Sequence, residues 1–327
     1  MSYHVPEIER LATPYQEHDG HGSKLNRRLT QECTRGGDRF MAIGAVVALW
    51  RYPVKSMLGE ELDAVAVTER GLLGDRAYAL IDRVTGKVAS AKHPRLWARL
   101  LACRAAVTAS PAPGASTLPV RIALPDGRAV VAGRDDADAA LSAALGRAVA
   151  LSATAPAAAQ TDRYWPDIEG LPLRETVTAG AIGQAAPAGT FFDHAPVHLL
   201  TTATLDRLRA LYPAGRFAAR RFRPNLVVAP AGGADGFVEN GWVGRTLLVG
   251  DGVRLRVTDP SPRCVVTTLP QAGLPQDIGI LRAVVAHNRP PIPALGGKAL
   301  PSAGVYAVVE RGGAVHHGDP VRFAGGG

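Results

Sequence analysis

Short runs of β-branched and apolar residues, punctuated by glycine and proline, constrain this chain more than any other feature. Val253-Arg254-Leu255-Arg256-Val257 alternates apolar and charged residues, and Gly304-Val305-Tyr306-Ala307-Val308-Val309 is a second strand-like run. A period of two sends alternate side chains to opposite faces of a strand. The 36 Gly and 25 Pro interrupt the chain often enough to favour short strands over long helices. The expected class is mainly β (α+β), with a few short helices. A length of 327 residues argues for two domains. An Ala/Pro-rich linker at residues 153–160 puts their boundary near residue 155.

In order, strands are expected over residues 45–51, 62–67, 77–81, 101–107, 193–200 and 226–229. Pro125-Asp126-Gly127-Arg128 and Gly250-Asp251-Gly252 read as hairpin turns. Helices are expected over residues 136–145, with Asp135 as cap and Gly146 as stop, over 201–211, ended by Pro213, and over 277–288. Residues 165–189 are turn-rich without a clear period. Residues 1–40 are polar and carry His4, His18 and His21. They read as a disordered or extended arm, better suited to solvent than to a histidine metal site, and Met41 is a candidate start.

Composition removes several functions. A chain 46% hydrophobic and 20% charged can bury a core. A net charge of +8 favours anionic partners, but no run of five or six basic residues appears, so no nucleic acid is expected. No apolar run reaches the roughly 20 residues of a membrane span. Cys33, Cys103 and Cys264 form no CxxC pair and no iron–sulfur set. Their odd number points to a reducing, cytoplasmic location.

Three stretches carry chemistry. Thr258-Asp259-Pro260-Ser261-Pro262-Arg263-Cys264-Val265-Val266-Thr267-Thr268 places a cysteine after a Pro-rich loop, where a β-branched run begins. Arg263 beside it favours thiolate, a soft ligand and nucleophile; a buried cysteine acting as a small hydrophobe is the alternative. Tyr52-Pro53-Val54-Lys55-Ser56 offers an ammonium, a hydroxyl and free N–H groups to an anion, or is a solvated turn. Arg220-Arg221-Phe222-Arg223-Pro224-Asn225 is an anion site or a solvated basic face.

With Gly74-Asp75-Arg76, Gly304-Val305-Tyr306 and Gly318-Asp319-Pro320-Val321, these motifs stand in an order that resembles the MOSC-domain proteins. The resemblance is to the branch with an N-terminal β-barrel domain, which includes the amidoxime-reducing components and bacterial relatives that detoxify N-hydroxylated bases. It covers residues 44–324. It implies two β-barrel-like domains: a MOSC N-terminal domain at residues 41–155 and a MOSC domain at 156–327. It implies a molybdenum cofactor (molybdenum–molybdopterin) with Cys264 as metal ligand and catalytic residue. Lys55, Ser56, Arg76, Arg223 and Asn225 would hold the pterin and its phosphate. Arg263 and Tyr306 would line the same pocket, and Thr201 and Thr202 would donate hydroxyls. The implied reaction removes oxygen from small N-hydroxylated substrates with electrons from an external reductase, flavin- or iron–sulfur-based. A cofactor carrier or sulfur relay without turnover is the rival. Residues facing the substrate are expected between 156 and 192. His194, His198 and His287 are either proton donors near the metal or satisfied strand and helix histidines.

Overall fold

The computed structural model describes residues 42–109 and 118–325. The arm expected at residues 1–40, with its histidines and Cys33, lies outside the described residues. Within them, Val253, Leu255 and Val257 are buried while Arg254 and Arg256 are at least partly exposed, as period-two alternation requires.

That run belongs to a closed barrel of seven strands. They are β1 (Ala42–Arg51), β2 (Val197–Thr201), β3 (Leu226–Pro230), β4 (Thr246–Val249), β5 (Val253–Pro262), β6 (Ser302–Arg311) and β7 (Pro320–Phe323). The order around the barrel is β3-β2-β6-β5-β4-β7-β1, and β1 pairs back onto β3. Strands β2 and β3 run parallel, with Leu200 opposite Val227. A parallel pair needs a crossover. The helix Thr202–Leu211 lies in that connection. β1 sets Ala45 against Ala229 of β3 and against Pro320 of β7, so one strand closes the barrel from both sides.

Val46, Leu49, Leu199, Leu226, Leu255 and Val305 fill the barrel, each at most 1% exposed. Burying a side chain of this size contributes about 1.5–3 kcal/mol. Before β2 the chain builds smaller sheets. Arg104–Val107, Val120–Ala123 and Ala129–Val131 form one, and Ala79–Asp82 pairs with Val149–Ser152. They share a core of Val54, Met57, Leu80, Leu100, Ile122 and Leu141. Among the described residues, the five α-helices are short. The longer three are α1 (Ala137–Leu145), α2 (Thr202–Leu211) and α3 (Gly279–His287). Among the described residues, no helix is long and apolar enough to cross a membrane.

Two local expectations change, and the segment after Cys264 takes a defined form. Helix α1 is capped by Asp136, not Asp135, without a side-chain cap bond, and Gly146 ends it at φ 71°. Residues 165–189 contain part of an antiparallel hairpin, Gln160–Trp165 with Thr176–Ala181. The second strand of this hairpin is almost wholly exposed, so no buried apolar face marks it in the sequence. The β-branched run after Cys264 forms a 3-10 turn, Val265–Thr268. The Thr267 and Thr268 hydroxyls donate back to the Cys264 and Val265 carbonyls, at 3.0 and 2.8 Å. Local side-chain bonds of this kind override strand propensity.

Candidate functional site

A cavity of about 380 Å³ collects the expected motifs. Lys55, Ser56 and Arg76 reach it from the early chain, and Arg223, Asn225, Arg263, Cys264 and Tyr306 from the barrel side. Three of its residues, Ser56, Arg76 and Arg223, are non-glycine residues with left-handed backbone, at φ 64°, 46° and 57°. Such conformations cost about 1 kcal/mol or more each and concentrate where a structure needs a side chain or N–H in one place.

The arginines rest on an aromatic platform. The Arg223 guanidinium lies 4.2 Å from the Tyr52 ring centroid, and that of Arg76 lies 4.6 Å from it. Arg76 pairs with Asp75 and donates to the Arg223 carbonyl at 3.3 Å. Asp75 also accepts from the Tyr52 N–H at 2.7 Å and from the Asn225 amide at 2.9 Å. One buried carboxylate thus ties together the Tyr52, Arg76 and Asn225 motifs. Burial and the neighbouring Arg76 pull Arg223 down to about 10. An anion in the cavity would relieve this crowding of like charge.

Lys55 and Lys92 converge on the same Asp193 oxygen, at 2.8 and 2.7 Å. Lys55 also donates to the Phe191 carbonyl at 2.6 Å. Burial lowers the Lys55 ammonium to about 8, although Asp193 works the other way. Burial raises the Asp193 carboxyl, but the two ammonium groups outweigh it and hold the carboxyl well below its ordinary range. Two cations share one carboxylate, leaving a net positive wall. The Ser56 hydroxyl accepts from the Ala91 N–H at 3.1 Å, binding the Lys55 turn to the Lys92 segment.

Cys264 caps the 3-10 turn as a free, partly buried thiol on the cavity. The Arg263 guanidinium is spent on the Phe222 carbonyl, at 2.9 Å, and on Ser261. Tyr306 packs between two histidines, with centroids 5.3 Å from His194 and 5.7 Å from His198. His194 contacts Asp259 at 3.1 Å. His198 lies 3.3 Å from the carbonyls of both Arg223 and Ala303. Burial, then the charge of Arg263, holds it well below its usual value, so the ring is neutral. His287 is exposed at the end of α3 and does not line the cavity.

Thr201 and Thr202 do not line the cavity either. Thr201 caps α2 and gives its hydroxyl to the buried Glu239, at 2.7 Å. Asn225 lines the cavity, but its amide is engaged inward by Trp50, Asp75 and His198. Sequence reasoning missed Lys92, Asp193 and Tyr52. Lys92 and Asp193 stand in stretches without an anion-binding pattern, and Tyr52 stands in the Lys55-Ser56 stretch, where the ammonium and hydroxyl carry the anion-binding signal. Their roles arise from contacts across the chain.

The MOSC N-terminal beta barrel domain matches residues 43–148, and the MOSC domain matches residues 187–322. Mitochondrial amidoxime-reducing component 1 of Homo sapiens is 28% identical over 308 residues, covering 89% of this chain and 86% of that protein. The Mus musculus component 1 is 26% identical, covering 88% and 84%. Rattus norvegicus component 2 is 26% identical, covering 85% and 83%. Among solved structures, the YuaD protein of Bacillus subtilis aligns over 85% of this chain and 93% of its own, with 13% identity and a TM-score of 0.39.

Proposed function

From a chain that carries a MOSC N-terminal β-barrel domain followed by a MOSC domain, we propose a molybdenum-cofactor-dependent reductase that removes oxygen from small N-hydroxylated compounds. The observation that carries this reading is the meeting of one free thiol, Cys264, with the cationic groups of Lys55, Lys92, Arg76 and Arg223 in one cavity. The donor set suits the cofactor. Among the described residues, no group of three or more His, Cys, Asp or Glu could hold a metal ion. A metal at Cys264 would take most of its ligands from an organic chelator and a soft sulfur from the protein. The cationic wall suits the chelator's phosphate.

Bound there, the cofactor supplies a two-electron oxygen acceptor. The chain's residues do the rest. Cys264 would anchor the metal. Arg76 and Arg223, fixed on Tyr52, would hold the anionic end, with Lys55 and Ser56 beside them. Asp193 would offset part of the positive charge of this wall, which limits repulsion before an anion arrives. The hairpin Gln160–Trp165/Thr176–Ala181 would shield the cavity from solvent on the substrate side. Electrons would come from a separate flavin- or iron–sulfur-based reductase, for which a basic chain suits an acidic partner. The two-domain division near residue 155 and a cytoplasmic location belong to the same proposal.

The test is the molybdenum and pterin content of protein purified from a host that makes the cofactor, followed by turnover of benzamidoxime with a chemical reductant. The expectation is near-stoichiometric metal, lost in Cys264→Ala without unfolding, and amine-forming turnover in the wild type. Full molybdenum in Cys264→Ala would remove the ligand assignment. Bound cofactor without turnover would leave the carrier.

A further inference from the structure

Of the cations lining the cavity, Arg163 stands apart. Lys55 and Lys92 share Asp193, and Arg76 has Asp75. Arg221, Arg223 and Arg263 donate to backbone carbonyls. Among the described residues, the Arg163 side chain has neither a hydrogen-bond nor an ion-pair partner, and its Nε is buried without an acceptor. A buried donor with no acceptor is costly, and such groups call for a missing partner.

The hairpin builds a mount for this group. Arg163 and Trp165 are two residues apart on one strand and so share a face. Thr178 stands directly across from Arg163. The Trp165 indole N–H donates to the Thr178 hydroxyl at 2.8 Å, which fixes the ring, and the Arg163 guanidinium lies 5.5 Å from the ring centroid. Having accepted from Trp165, the Thr178 hydroxyl keeps its own hydrogen to donate. All three residues line the cavity. The hairpin is in turn held to the Lys92 segment, through Tyr164 N–H to the Lys92 carbonyl at 2.8 Å. Leu171, Ile292, Leu295 and Leu300 add apolar surface to the same cavity.

We propose that Arg163, mounted on Trp165 beside Thr178, is a specificity residue that binds a carboxylate carried by the substrate. The favoured substrate is then an N-hydroxylated compound with an apolar or aromatic body and an acidic group. This rests on the reductase reading above. The shared chemistry is an anionic oxygen group, and a phosphate of the cofactor is the other source of one.

The experiment compares benzamidoxime with 4-carboxybenzamidoxime on protein carrying its cofactor. Wild type, Arg163→Gln and Arg163→Lys are measured by steady-state kinetics with a chemical reductant and by quenching of tryptophan fluorescence at equilibrium. Loss of a charge-assisted hydrogen bond predicts that in Arg163→Gln the KM and Kd of the carboxylated compound rise about 10- to 100-fold relative to benzamidoxime, with the kcat ratio unchanged. Arg163→Lys should fall between. Equal changes for both compounds would overturn the proposal. Loss of pterin or molybdenum from Arg163→Gln would overturn it too, by assigning the guanidinium to the cofactor. A carboxylate preference in binding, without turnover of either compound, would sink the reductase reading and leave the anion site standing.

Discussion

The guanidinium of Arg223 lies 4.2 Å from the centroid of the Tyr52 ring, whose buried hydroxyl has no hydrogen-bond partner among the described residues. The ring face is therefore the useful part of this tyrosine, and the hydroxyl is a liability. Tyr52→Phe keeps the cation–π platform and removes the orphaned group. Its stability should match the wild type or exceed it by about 1 kcal/mol. Tyr52→Ala should cost about 3–5 kcal/mol through the cavity it leaves. Chemical unfolding of both variants checks this. A Phe variant as damaged as the Ala variant would mean that the hydroxyl matters.

Anion binding should take up a proton near pH 8. Burial lowers Lys55 to about 8, so near that pH much of the free protein lacks this proton. A bound anion favours the charged ammonium and pulls the proton back. Titration calorimetry of inorganic phosphate, in two buffers with different ionisation enthalpies, should show net uptake near pH 8. In Lys55→Arg the uptake should vanish, because a guanidinium stays charged. No uptake in the wild type would remove Lys55 from the anion site.

Glu239 should make stability depend on pH in a set direction. It is fully buried and accepts the Thr201 and Thr204 hydroxyls at 2.7 Å. Burial raises its carboxyl above 4.5, and the hydroxyl bonds only partly oppose this. A folded value above the unfolded one gives a contribution fully present below the unfolded value and lost as pH rises through the folded one. The stability of wild type relative to Glu239→Gln should therefore fall between a pH below the ordinary carboxylate value and a pH above the raised folded one. Glu239→Ala should cost about 2–4 kcal/mol at either pH, since two buried hydroxyls lose their acceptor. A gap between wild type and Gln that is constant with pH would contradict the assignment.

Gly304→Ala should destabilise the barrel next to the site. Gly304 has φ 81°, and an added Cβ would collide with His198 Nε2 and the Leu199 carbonyl. Left-handed strain and backbone overlap together predict a loss of about 2–4 kcal/mol. Urea unfolding reads this directly, and a loss under about 1 kcal/mol would mean that β2 and β6 can move apart there.

The sequence by itself determined the local order of this protein. Alternation at residues 253–257 set one face of β5, Pro213 and Thr201 bounded α2, and Gly146 ended α1. The ordered motifs around Lys55, Arg76, Arg223 and Cys264 gave the thiol and several of the cations of the cavity lining, because each is a short segment whose chemistry is written in adjacent residues. Only the tertiary structure decided which distant groups meet. Asp193 joins Lys55 across 138 positions, Asp75 reaches Asn225 across 150, and Thr201 turns to Glu239 rather than to the cavity. The hairpin holding Arg163 was also invisible, since an exposed strand needs no apolar period. Periodicity and turn residues record what a segment does with its neighbours. Barrel closure selects partners by geometry, and a carboxylate has the same local sequence signature whether it ends against a lysine, an arginine or a pair of threonines.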